Sequence, residues 1–472
     1  WEQYSVLAVT STLPIYEDSE KISRLNNYLR KGNGLACFYD STESLFDVPI
    51  NPFLSQYGLS YAYCQLINEM NPSPTLKAPK DYYSITSVTF DSLVSKLKRN
   101  LSKLKAVKID KLDSIVTRLR YHVMVCQKEQ LPKLKEILEM SFDFLQNTNY
   151  RNDDKIVFKS YQLILIILMI DIFKKIPIDE VSIANDADLF PGLVENMPLS
   201  DHTVTIRCRP NSIVSTGIWC QPGVLSTIEC NNTPDNVEVQ IGSHNSVLVT
   251  QPGPWHRWPD ITTTYKLEKG KTNVATSFGG IVYILNGGTS LFDLELKFHN
   301  FSKYTRIVPS KPEIYESTKE SNAPMCEIIL QTVIFTMPSS FVSQIVNMNE
   351  IFPKIDNLIK QVAKISYYKI VRPYRIVFDT DLTEDLFVDQ YPIVLHIQDL
   401  PDIFTSELTI NGGLFRMLMA IAVSSLRENC FDRETERALG AFIASSVFLQ
   451  MKPDFDPLTF FEVDLSLLYT TI

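Results

Sequence analysis

The sequence predicts a multidomain α+β protein: the end of an α/β domain, a helical bundle, a β-sandwich and a mixed α+β segment. Three observations predict it. The chain has 472 residues, where one core usually organises roughly 100–200. Hydrophobic residues make up 45% of it, ample to bury several cores. The hydrophobic period also changes along the chain, from 3.6 residues to 2 and then to a mixture.

The α/β end occupies residues 1–75. Ser5 to Thr12 is β-rich, Ser19 to Leu29 is helical, and Leu35 to Tyr39 is a second apolar run, which together make a β-α-β unit. Gly32 and Gly34 fall between helix and strand, where a positive φ ends a helix, so this pair reads as a C-cap and not as a phosphate cradle. The helical region follows at 76–197, after the Pro-bearing stretch Asn71 to Pro79. Phe90, Leu93, Val94, Leu97, Leu101 and Leu104 keep one face. Leu112, Ile115, Val116, Leu119, Val123 and Cys126 keep another, Leu134 to Leu145 a third, and Tyr161 to Phe173 is apolar nearly all round. Four such helices with short connections predict a small bundle. Its basic side, from Lys96 to Lys108, reads as a solvated face.

Near Pro198 the period becomes 2. His202 to Arg207, Val237 to Ile241, Val247 to Thr250, Asn273 to Ser277, Ile281 to Leu285 and Leu291 to Phe298 read as strands of a β-sandwich over 198–310. One loop, Pro252 to Pro259, carries Trp255, His256, Arg257 and Trp258. It is the candidate interaction surface: exposed, these rings would stack on sugars or form a binding hot spot; buried, they would cap the end of the sandwich. From 311 to 472 strands and helices mix: Ile328 to Thr336, Ile345 to Ile365, Tyr374 to Phe378, Ile393 to Ile397, Leu414 to Leu426 and Leu439 to Leu449.

Charge and motifs narrow the function. Lys and Arg number 45 against 54 Asp and Glu, a net charge of −9, with no basic tract, which argues against nucleic-acid binding. The eight Cys stand singly, without a C-x-x-C pair, so no zinc ribbon or thioredoxin motif is present and a reducing compartment is favoured. The run Leu163 to Ile170 is far shorter than the ~20 residues a bilayer needs, so no transmembrane segment is expected. The chain opens on Trp1 with no signal-like pattern, and its true N-terminus is expected upstream. Sequons at Asn100, Asn231 and Asn300 decide nothing. No P-loop, G-x-S-x-G, H-E-x-x-H or G-x-G-x-x-G occurs. Cys37 has no near His partner, and His396 alternates with apolar strand residues, so both read as structural.

The order of several short segments carries a resemblance. Asn51-Pro52-Phe53 with Tyr57 to Ser60, Val214 to Ile218, Val237 to Gly242 with His244, and Phe278 to Ile284 come first. Ala323-Pro324, Glu327, Thr336 to Ser339, Arg375 to Val377, Tyr391 to Ile393 and His396 follow. In this order the chain resembles the TRP-channel-associated factors, of the enhancin-like (sixtieth) family of zinc metallopeptidases, which are gluzincins. The resemblance implies that 1–75 ends an amidotransferase-like domain and that 311–472 is a degenerate, incomplete metallopeptidase-like domain, continuing in the family beyond Ile472.

Family members carry H-E-x-G-H on a helix and a later Glu in a Thr-Glu segment; both His and that Glu bind zinc, and the first Glu activates water. By this resemblance Met419 and Val423 stand at the two His positions, Ala420 at the catalytic Glu and Glu436 at the third ligand. Met and Val offer zinc no imidazole or carboxylate, and Ala no base. The resemblance therefore implies no catalytic residue, no metal, no cofactor and no enzyme. It also implies a filled cleft, with Arg416, Arg433 or Arg437 pairing Glu436. The implied function is a non-catalytic, protein-binding component of an assembly around a membrane channel or the cytoskeleton, intracellular and peripheral to either. The alternative is a glycan-binding module of a secreted or surface enhancin-like protein.

Overall fold

The computed structural model describes residues 5–10, 19–38, 53–54, 89–102, 109–124, 126, 130–152, 155–156, 159–193, 197–251, 253–383, 387–388, 391–405, 408–426 and 432–456. Contacts divide the chain into two compact units, Trp1–Asn152 with Val157–Ile176, and Asp153–Ile156 with Pro177–Ile472. Asn51-Pro52, Tyr57 to Ser60, Cys64, Asn71 to Pro79, Lys103 to Lys108, Pro252 and Cys430 lie outside the described residues.

The first unit opens with β1 (Val6–Thr10) and β2 (Gly34–Phe38), parallel and linked through α1 (Ser19–Arg30). Gly32, at φ +87°, ends α1 as the C-cap its position predicts, its N–H donating to Leu29 O at 2.9 Å. Val9, Leu25, Tyr28 and Phe53 form the core. Four helices follow: α2 (Phe90–Leu101), α3 (Ile109–Met124), α4 (Leu131–Asn147) and α5 (Ser160–Phe173). The packed pairs α2–α3, α3–α5, α5–α4 and α4–α2 close a ring around the apolar stripes. Thr89 caps α2 by accepting from Ser92 N. Helix α5, apolar on every side, starts where Gln162 accepts from Lys159 N at 2.7 Å and donates to Thr148. On the basic face Lys98 pairs with Glu136 at 3.1 Å.

Two two-residue strands come next in sequence, β3 (Arg151–Asn152), in the first unit, and β4 (Lys155–Ile156), in the second. The second unit has two layers. The first layer is one curved, barrel-like sheet. It contains β5 (Ser200–Cys208), β6 (Ser212–Cys220), β7 (Ser226–Cys230), β8 (Val237–Ile241), β9 (Thr263–Lys266), β10 (Gly270–Val274), β11 (Gly280–Asn286) and β12 (Phe292–Lys303). The order is β10-β7-β12-β6-β11-β8-β9, with β5 on β12. Strand β12 makes the turn between halves: Phe292 to Phe301 pair with β5, whereas Ser302 and Lys303 pair with β6. Alternate residues such as Val237, Val239 and Ile241, or Leu294, Leu296 and Phe298, fill the core between the halves. Val247 to Thr250, expected as a strand, is a 3₁₀ turn at Leu248–Thr250. Leu248 N donates to Pro259 O there, so the segment serves the loop and not the sheet.

The second layer is a five-stranded mixed sheet, β13 (Arg306–Ile307), β14 (Met325–Ile329), β15 (Val333–Pro338), β16 (Tyr374–Asp379) and β17 (Ile393–His396), paired in that order. Between β13 and β14 runs α6 (Pro312–Thr318), and after β15 comes α7 (Met348–Ile365). The apolar run Ile328 to Thr336 is a hairpin and not one strand. Its turn is held by Asp356 of α7, which accepts from Thr332 N at 2.8 Å and from Thr332 Oγ1 at 2.5 Å. Then come α8 (Leu400–Ile403), α9 (Gly412–Leu426) and α10 (Arg433–Met451); α9 and α10 pack with α7 on one face of the sheet, and α8 packs on α9.

Candidate functional site

Helices α9 and α10 carry the positions the resemblance singles out. Helix α9 starts where Asn411 Oδ1 accepts from Leu414 N and Asp402 Oδ2 from Gly413 N, both at 2.9 Å. Met419 is 7% exposed, and Ala420 and Val423 are fully buried. Met419 and Val423, four apart, share one face, and that face meets α10 at Gly440. A Cβ on Gly440 would lie 2.6 Å from Val423 Cγ2 and 3.2 Å from Met419 O. The helices therefore touch at van der Waals distance at the two positions that the resemblance assigns to zinc-binding His residues.

Glu436, one turn before Gly440 on the same face, is 8% exposed. It lies in the first turn of α10, where the helix dipole favours a carboxylate. Among the described residues no ion pair to it is found. Arg416, one of its expected partners, binds Asp399 instead, through Nε at 3.0 Å and Nη2 at 2.5 Å. Helix α9 points Arg416 back toward its own N-terminus, where Asp399 precedes α8. Arg437 lies over the Phe387 ring, 5.9 Å from its centroid.

The Trp255–Trp258 loop does not form the exposed surface expected as one reading of it. Trp255 is 2% exposed, Arg257 and Trp258 are fully buried, and only the His256 side chain, at 34%, reaches solvent. Trp255 exchanges backbone hydrogen bonds with Ile156, and Trp258 Nε1 donates to Asp186 Oδ2 at 2.8 Å. The physical reason is Arg257, whose charge is drawn inward by Asp379. Its Nε lies 2.9 and 2.8 Å from the two carboxylate oxygens, Nη1 donates to Trp258 O and Pro259 O, and Nη2 to Ser246 O. His256 is fastened too: Nδ1 is 2.9 Å from Asp381 Oδ1, and its backbone N–H donates to Asp381 Oδ2 at 2.7 Å.

Asp379 ends β16, and the alternation of that strand explains its place. Tyr374, Ile376 and Phe378 face the helices, so Arg375, Val377 and Asp379 face the barrel-like sheet. His244 Nε2 is 2.7 Å from Asp379 Oδ2, within ion-pair distance but out of line for a hydrogen bond. Its Nδ1 accepts from Ser246 N, which puts the proton of a neutral ring on Nε2, toward Asp379. Burial alone would raise the Asp379 carboxyl; Arg257 and His244 outweigh it and hold it well below the usual carboxylate range.

The second charged residue of this face, Arg375, meets Glu327 of β14, and both are buried. Glu327 accepts from Arg375 Nη1 at 2.5 Å, Tyr304 Oη at 2.6 Å and Tyr283 Oη at 3.3 Å. Burial opposes its charge, but Arg375 and Arg306 keep its carboxyl below the ordinary value. Burial and the charge of Glu327 push both phenols up, so they remain donors. Arg375 also stacks on Tyr283, 4.9 Å from the ring centroid. The two clusters join the layers, and the chain boundary expected at 310/311 is bridged by Tyr304 with Glu327. Sequence reading quoted Glu327, His244 and Arg375 without pairing them. The available signal was a charge inside MCEII and YRIVFD, runs otherwise apolar enough to be buried on both faces.

Comparison with known proteins bears out the resemblance read from the sequence. Residues 195–292 match the model of the N-terminal domain of M60-like peptidases, which covers β5 to β11. Among solved structures, the chain is similar to the IMPa metallopeptidase from Pseudomonas aeruginosa, with TM-score 0.46, 12% identity, and coverage of 91% of this chain and 58% of that one. The M60 catalytic domain of ZmpC from Clostridium perfringens gives TM-score 0.38 and 10% identity over 52% of this chain and 57% of that one.

The curated relatives are narrower in kind. The chain is similar to TRPM8 channel-associated factor 2 of Mus musculus, 24% identical over 235 residues, 47% of this chain and 25% of that protein. TRPM8 channel-associated factor 3 of Rattus norvegicus is 26% identical over 192 residues, 39% of this chain and 21% of that protein. The matched segment thus spans about a quarter of the length of these relatives. Among the described residues no helix is long and apolar enough to cross a membrane.

Proposed function

We propose that this chain is a non-catalytic, protein-binding relative of the channel-associated factors, a scaffold or interaction component of a larger assembly at a membrane channel or the cytoskeleton. The observation that carries this reading is the contact of Met419 and Val423 with Gly440. The residues at the implied zinc position, Met419, Val423 and Glu436, do not fit the metal: a thioether, an alkyl group and one carboxylate are not a catalytic zinc donor set. With Ala420 beside them there is no base to take a proton from water. In this reading the close packing of Val423 and Met419 on Gly440 leaves no room between α9 and α10 for a metal-bound water. The organisation proposed with it is an amidotransferase-like end at 1–75, helices at 76–197, a β-sandwich-like region at 198–310 and an incomplete peptidase-like region at 311–472. The position proposed with it is intracellular, peripheral to membrane or cytoskeleton; the names of the curated relatives support the association with a channel.

The test is cross-linking of the native protein in its source cells, with zinc analysis of the recovered chain. Cross-links from the second unit to a channel or filament protein, without stoichiometric zinc, support the reading. Stoichiometric zinc that is lost in Glu436→Gln overturns it and reopens peptidase chemistry.

A further inference from the structure

A cleft of about 640 Å³ opens beside the turns of the barrel-like sheet, a volume in the range of ligand sites. Its described lining includes the half-buried Ile213 and Leu285 as apolar floor, with Lys266, Arg372 and Tyr391 around it. Two arginines brace the wall reciprocally. Arg372 Nη1 donates to Asn211 O, and Arg209 Nη1 donates to Val371 O, each at 2.6 Å. The Arg372 guanidinium lies flat on Tyr391, 4.0 Å from the ring centroid. Its position is thereby fixed before any ligand arrives, while its remaining N–H groups stay uncommitted.

The charge around this cleft runs against that of the whole chain. The protein carries −9, yet among the described residues Arg209, Lys266 and Arg372 have no carboxylate partner. Glu238 lines the same cleft opposite Lys266 in the β8–β9 register, but no ion pair joins them. Elsewhere in this unit buried Arg257 and Arg375 are paired with Asp379 and Glu327. A guanidinium held in place over a ring, with an exposed, unneutralised lysine and apolar residues in the same cleft, forms a receptor for carboxylate groups on an extended, partly apolar chain.

We infer that this cleft binds an acidic peptide segment of a protein partner, with Arg372 and Lys266 taking its carboxylates and Ile213 and Leu285 its intervening apolar atoms. The inference rests on the protein-binding reading above and gives it a place on the surface. A bare inorganic anion would use two of the cations and leave most of the 640 Å³ empty. The overall charge repels acidic peptides, so saturable binding of one has to come from a local site.

Fluorescence anisotropy of a fluorescein-labelled hexaglutamate peptide with the whole chain tests it. Saturable binding is expected, weakening with ionic strength, and absent for hexaglutamine. Lys266→Glu, at an exposed side chain, should weaken it about tenfold, and Arg372→Lys, which keeps the charge but loses the fork, several-fold. Glu238→Gln should tighten binding, an outcome that damage to the fold would not produce. Absence of saturable binding, indifference to Lys266→Glu, or displacement by inorganic phosphate at the concentration that works for the unlabelled peptide overturns the assignment. Such a failure leaves the non-catalytic reading intact, because that reading is judged by zinc content and by cross-links.

Discussion

Replacing Asp379 by Asn tests whether the buried charges hold the two layers of the second unit together. The Arg257 side chain is fully buried and its Nε contacts both Asp379 oxygens. The amide keeps the shape but not the charge, and its NH₂ must face either the Arg257 Nε–H or His244 Nε2–H. The imidazole cannot turn its proton away, since Nδ1 already accepts from Ser246 N. Removing one member of a buried ion pair costs about 3–5 kcal/mol, most of it the stranded charge. With a urea dependence of about 3 kcal/mol/M for a unit of this size, the midpoint should fall by about 1 to 1.7 M. Tryptophan fluorescence reads this unit directly, because Trp219, Trp255 and Trp258 are all buried in it. The double change Arg257→Met with Asp379→Leu should recover part of the loss by removing the stranded charge. A shift of under about 0.3 M for Asp379→Asn, or a double variant worse than the sum of the singles, would refute the account.

Stability should also depend on acid. Asp379 and Glu327 both have folded-state pKa values below their unfolded values of about 3.9 and 4.3, so the stability they contribute is complete above that range and is lost as pH falls through the folded values. Urea midpoints should hold from pH 7 to 5 and drop below about pH 4, with a shallower drop in Asp379→Asn. Gly440→Ala should cost about 1–3 kcal/mol by forcing α9 and α10 apart, and Val423→Ala should relieve part of it; additive losses in a thermal melt of the double variant would count against the contact. Among the described thiols, Cys208, pushed up to about 11, and Cys220, to about 12, are buried together with Cys230 and Cys326. These four should react with a thiol reagent only after denaturation, whereas Cys37 and Cys126, half-buried, should react earlier.

Much of the fold was legible because it follows local rules. Stripes of Leu and Val at 3.6 spacing gave α2 to α4, and the alternation of Val237 to Ile241 gave β8, since periodicity is a property of neighbouring residues. Strands β6, β7 and β9 were missed because Ser, Thr and Gly break their alternation; they are strands because β11 pairs with β6, β10 and β12 with β7, and β8 with β9. The likeness to the peptidase family was also written in the sequence, as the order of short segments.

What the sequence determined by itself is which residues are present: no imidazole at 419 or 423, no carboxylate at 420, a small residue at 440, and charges inside β14 and β16. Only the tertiary structure decided which of these meet. It turned Trp255 and Trp258 inward, gave Arg416 to Asp399 instead of Glu436, set Arg257 against Asp379 across more than a hundred residues, and left Arg372 and Lys266 without a carboxylate among the described residues. The reason is that charge pairing and burial depend on distances in space. A strand fixes only which face a side chain takes, whereas the layer packed against that face decides its partner.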